Sequence, residues 1–142
     1  MAVTANIYGN FFNNSLNANI PDLEGVGNLE CMLLDANHSF DETNNTVSNI
    51  VANEIADADY ARQALTNVAV TQSTGTVNVD ADDISFGTTV SISASHAVIY
   101  TVGTDDTDSY LMFDINFGET QESVDGEFTL TLSDDGLFDV VT

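Results

Sequence analysis

The sequence predicts a mainly β chain, an antiparallel β-sandwich or barrel with one or two short helices in its N-terminal half. Two patterns lead there. From residue 66 onward, short segments alternate β-branched or aromatic side chains with polar ones, the period of a strand with one buried face. Between them lie runs of Gly, Asp, Ser and Thr, the composition of tight turns, at the spacing of successive hairpins. Hydrophobic residues fill 43% of the 142 positions, enough for a buried core in spite of the charge.

In chain order, "AVTANIYG" reads as a first strand and "NLECMLLD" as a more buried one. Pro21, Gly25 and Gly27 mark a loop between them. The stretch "TVSNIVANEIADADYARQAL" places Val47, Ile50, Val51, Ile55 and Tyr60 at helical spacing, which predicts one short helix or two broken turns. Strands follow in "TNVAVTQ", "TVNVDA", "TTVSISASHAVIYTV", "SYLMFDINF", "GEFTLTLS" and "LFDVV", with turns at "STG", "DADD", "GTDDTD", "GETQESVDG" and "SDDG". Strict alternation in "TVSISASHAVIY" would put Val90, Ile92, Ala94, His96, Val98 and Tyr100 on one face, the predicted core side. Ser91, Ser93, Ser95, Ala97 and Ile99 would share the other. No linker or composition break divides the chain, so residues 1–142 read as one domain.

Charge narrows the function. The chain has 23 acidic residues against a single cation, Arg62, for a formal net charge of -22. In dilute buffer such a surface repels itself and opposes compactness. Near 1 M salt the Debye length is about 3 Å and the repulsion is screened, so the composition predicts a protein adapted to concentrated salt. One arginine cannot build a basic face for phosphates, which argues against nucleic acid as a partner. Neither a signal-peptide pattern nor an apolar run of membrane-crossing length is present, so the expectation is a soluble chain made in the cytoplasm. Sequons at Asn13, Asn37 and Asn44 read as turn chemistry in an Asn-rich chain.

Catalytic patterns are lacking. Cys31 excludes an intrachain disulfide and reads as a small core residue; only His38 and His96 could serve it as a base. His38 lies in the polar "ANHSFDE" turn, and His96 in mid-strand reads as a core or interface histidine. There is no nucleophile elbow, P-loop or dinucleotide fingerprint, and no enzyme is expected. Hard-cation chemistry is offered by Asp80, Asp82 and Asp83 in one turn and by Asp105, Asp106 and Asp108 in another. Neither turn follows the calcium-loop spacing. Both are expected to be solvated, with loosely held sodium, potassium, magnesium or calcium ions and no dedicated cofactor.

The segments "FFNNSLNANI", "LECMLLD", "IVANEIADADYARQAL", "NVDADDISF", "ASHAVIY", "FDINFGE" and "GEFTLTLSDDGLF" fall in one order across nearly the whole chain. In that order they resemble a family of small virion proteins encoded among the head and tail genes of tailed bacterial viruses. The chain departs from the family pattern at Ser95 and His96, where Arg and Tyr are usual, at Phe86 in place of Trp, and over residues 56–62. The resemblance implies a structural role in the virion as a capsid decoration or cement protein. Its partners would then be further copies of itself and the major capsid protein or other virion subunits. Alternatives are a minor tail, connector or vertex protein of the same particle and, from another class, a cation- or carbohydrate-binding β module. Combined with the charge, it implies a virus of a salt-loving archaeon.

Overall fold

Two long antiparallel strands organise the molecule, β6 (Ile84–Thr101) and β7 (Leu111–Leu130). In the computed structural model, which describes residues 3–141, they lie at the centre of a five-stranded sheet. The other members are β1 (Thr4–Ile7), β2 (Leu29–Leu34) and β3 (Gln63–Ala64), in the order β1-β7-β6-β2-β3. A smaller sheet is made by β4 (Ala69–Ser73), β5 (Thr76–Asp80) and β8 (Phe138–Val141). Every strand pairing is antiparallel, and the two sheets pack as a sandwich.

Around β2 and the adjoining ends of β6 and β7 the large sheet is buried on both faces. Cys31, Leu33, Ala97, Ile99, Phe113 and Ile115 form one face's core, closed by Phe11 and by Phe138 of the small sheet. Met32, Leu34, Val98, Tyr100 and Leu111 form the other, covered by Tyr8, Val47 and Ile50. That explains the near-continuous apolar run "LECMLL" in β2: a strand buried on both sides has no solvent face to mark with polar residues.

Simple alternation fails in β6 for a local reason. A register shift between Ala94 and His96 reverses the facing. Ile92 and Ala94 therefore share a core with Ala97 and Ile99, whereas Val98 and Tyr100 belong to the opposite one.

The segment "GETQESVDG" is the middle of β7 and not a turn. Its turn-like residues are accommodated by irregularities in the ladder, with Gly118 and Asp125 at positive φ and Ser91 Oγ accepting from the Asp125 amide at 3.1 Å. Likewise β6 begins at Ile84, directly after the "DADD" turn.

The helical pattern over residues 46–65 gives only two one-turn 3-10 segments, Val47–Asn49 and Val51–Asn53. Asn49 Oδ1 accepts the amides of Asn45 and Thr46, each at 3.0 Å, and this side-chain closure competes with continued helix. The α-helix, α1, is instead Gly9–Leu16, in a stretch without helical signal beyond Phe11 and Asn14, which turn inward. Among the described residues no helix is long and apolar enough to cross a membrane.

Candidate functional site

Asp114 lies near the start of β7, opposite Val98 of β6 and Asn6 of β1, and its side chain has no exposed surface. It points to the face carrying Met32, Leu34 and Val98. A bare carboxylate buried there would cost several kcal/mol. Two histidines meet it. His96 Nδ1 lies 3.1 and 3.2 Å from the two carboxylate oxygens, and His38 Nε2 lies 2.8 Å from Oδ2.

Each histidine is placed by a different device. The register shift after Ala94 turns His96 to the Asp114 side of the sheet. His38 comes from the loop after β2, where Asp35 holds a tight turn by accepting from the Asn37 amide at 2.8 Å and from its side chain at 3.1 Å. The two rings meet edge to face, with centroids 4.8 Å apart and an interplanar angle of 89°. Both histidines are buried.

Burial pushes the Asp114 carboxyl upward, but hydrogen bonds and charge from His38 and His96 outweigh it and hold the group below the ordinary carboxylate range. An ionised carboxylate only accepts, so the nitrogens facing it, His38 Nε2 and His96 Nδ1, both carry hydrogen. Their other ring nitrogens make no hydrogen bond among the described residues, so in each ring the bond to Asp114 is the one protein contact that fixes where the proton sits.

One polar atom nearby lacks a partner. The Tyr8 hydroxyl is fully buried and unpaired among the described residues. Burial first, then the negative charges of Asp114 and Asp41, push its pKa well up. On the outer side, His38 and His96 open onto a groove lined by Ala36, Ser95, Asn116, Gly118, Glu119 and Thr120.

Two imidazoles and a carboxylate offer three donor atoms within 4.8 Å of one another, and among the described residues this is the one such His/Cys/Asp/Glu cluster. The acidic turns are built otherwise. Asp80 Oδ1 accepts from the Ala81 amide at 2.8 Å, Asp82 from Asn67 at 2.6 Å, and Asp83 from the Leu132 amide at 2.8 Å, so each serves a different neighbour. Asp105 accepts from the Thr107 amide at 2.7 Å and Asp108 from the Asp105 amide at 2.9 Å, closing the turn on itself. Gly103 is required there, because a Cβ would collide with Asp108.

Asp106 instead pairs with Arg62 at 2.7 Å, and Arg62 also grips Glu54 at 2.7 Å and lies 5.6 Å from the centroid of the Tyr100 ring. The chain's single cation is thus spent as a clamp between loops. Cys31 is buried on the opposite face from His38 and His96, its thiol pushed up by burial, and no thiol–imidazole pair forms.

Asp114 went unnoticed in the sequence although a signal was there. "FDINF" sets a carboxylate between Phe113 and Ile115 in a strand that is otherwise core, and such a residue must find a partner. Pairing it with His96 required the hairpin register, and His38 required the loop path. A scan against protein-family models, a search of curated proteins and a search of solved structures each found no match.

Proposed function

We propose that the protein is a non-catalytic β module that holds a divalent cation at His38, His96 and Asp114. The observation that carries this reading is the convergence of two imidazole nitrogens on one buried carboxylate, from three separate segments of the chain. A histidine pair and an aspartate are ordinary ligands for such ions. Support for binding over catalysis comes from the groove: its hydroxyls, Ser95 Oγ and Thr120 Oγ1, bond to each other at 2.8 Å and not to His96. The test is equilibrium dialysis in molar salt against a mixture of magnesium, calcium, manganese and zinc, followed by metal analysis. One ion per chain in the wild type and none in Asp114→Asn is the expected result; equal metal in both overturns it.

A second, compatible reading concerns where the module works. The surface favours a structural subunit of a salt-adapted virion, a decoration or cement protein, with a tail, connector or vertex position as the alternative. Apolar side chains at Leu16, Val26, Val124 and Val141 stand exposed on a surface of net charge -22, and β1 leaves one sheet edge open. In concentrated salt the carboxylates are screened, and such side chains and the open edge can meet further copies or shell subunits. Oligomers or particles should come apart when salt is dialysed away, and oligomers unchanged in dilute buffer would contradict this. Copy number separates the positions: hundreds per particle for decoration, about five to twelve for a vertex or connector.

A further inference from the structure

The geometry points to a zinc-class ion at this site, four-coordinate, with Glu119 as the fourth ligand beside His38 Nε2, His96 Nδ1 and an Asp114 oxygen. The inference rests on the cation-binding reading and adds the metal class and a residue.

Donor chemistry sets the class. Calcium takes six to eight oxygens and magnesium a near-octahedral oxygen shell, whereas imidazole suits zinc and its neighbours. Half of the donors here are imidazole nitrogens. Tetrahedral zinc with bonds near 2.1 Å sets its ligand atoms about 3.4 Å apart. The carboxylate–imidazole separations of 2.8 and 3.1 Å are already close to that value. On binding, each ring gives up its inward hydrogen bond to Asp114 and carries its proton on the far nitrogen, and the ion replaces those two bonds by lying between the inward nitrogens and the carboxylate. The far nitrogens have no protein partner to lose.

The fourth ligand follows from the β7 irregularity. Between the pairs His96↔Asn116 and Ala94↔Gln121, β6 advances two residues while β7 advances five. The extra residues loop out at the mouth of the site, with Gly118 at φ 81°, a conformation that favours glycine. Glu119 is the single acidic residue of the groove onto which both histidines open; its carboxylate lies outside the cluster of His38, His96 and Asp114, so ligation requires its side chain to swing inward. Its carboxylate accepts no hydrogen bond among the described residues, unlike those of Asp80, Asp82, Asp83, Asp105, Asp106 and Asp108.

The test uses the full chain in molar potassium nitrate, which avoids chloride as a competing ligand. Co2+ is titrated and followed by its visible absorption, and Zn2+ is then added in competition, for the wild type, Glu119→Gln and Asp114→Asn. Glu119 is exposed, so its substitution does not threaten the fold. The expected result is one Co2+ per chain with the intense bands of a four-coordinate site, displaced by one Zn2+ and not by a tenfold excess of Mg2+ or Ca2+. Glu119→Gln should weaken Zn2+ binding tenfold or more, and Asp114→Asn should abolish it. No binding by the wild type overturns both the inference and the reading beneath it. Wild-type binding that Glu119→Gln leaves unchanged overturns the fourth ligand alone, and displacement by Mg2+ or Ca2+ overturns the metal class alone.

Discussion

Asp114 and the aspartates of the 103–108 turn are the same chemical group in opposite surroundings. Asp105 and Asp108 stand in water and accept from amides and hydroxyls of their own turn. Asp114 has no exposed surface and, among the described residues, accepts only from two imidazoles brought from elsewhere in the fold. The turn carboxylates keep the surface hydrated, and losing any one returns a little local order to solvent. The buried one ties the loop after β2 to the central hairpin, and losing it strands two ring donors. In a chain this acidic, Asp114 stands apart by burial and by imidazole partners, since local density of acids is common to many of the turns.

The largest expected effect tests the outer half of this contrast. Lowering salt from 3 M to 0.1 M lengthens screening from under 3 Å to about 10 Å, so circular dichroism should show the thermal midpoint falling steeply. A midpoint independent of salt would remove the idea that the turns are surface adaptation. Next comes Asp114→Ala, which leaves the two imidazole donors unpaired in a buried site. Urea unfolding at 3 M salt should show a loss of about 3 kcal/mol. Alanine at Asp80 or Asp83 in the same assay should cost about 0.5 kcal/mol or less.

Arg62→Met should fall between these, at about 1–2 kcal/mol, because the Glu54–Arg62–Asp106 clamp is only partly buried and is discounted for solvent. Acid titration sharpens the same point. Hydrogen bonds from Arg62 hold the Asp106 carboxyl below its ordinary value, outweighing partial burial. A folded-state pKa lowered in this way contributes stability that is present above the unfolded value, about 3.9, and is lost as pH falls through the folded value. Wild type should therefore lose stability below about pH 4, and Arg62→Met should lose less over that interval. Parallel acid limbs for the two proteins would show that the clamp does not set the Asp106 pKa.

Much of the fold was legible because its signals are local. β4, β5 and β8 fall where alternation places them, and β2 was marked as the more buried strand by its apolar run. What escaped is what depends on pairing. The shift after Ala94 inverts the faces of β6, and a composition rule cannot tell a hairpin turn from the irregular middle of β7. The α1 helix carries Asn10, Asn13 and Asn14, poor helix formers, and is held by tertiary contacts such as Asn14 to Asn45 at 2.8 Å. At the site, His96 could be singled out as a mid-strand histidine, but its facing was read from strict alternation. Asp114 was lost among 23 acids because its one local mark, the flanking Phe113 and Ile115, does not say which partners meet it.

The most direct test is diffraction from crystals grown with one equivalent of Zn2+, with data collected on both sides of the zinc absorption edge. The account predicts a single strong anomalous peak bounded by His38 Nε2, His96 Nδ1 and Asp114, with Glu119 drawn in toward it. Peaks confined to the turns at 80–83 and 105–108, with the two histidines still hydrogen-bonded to Asp114, would contradict it.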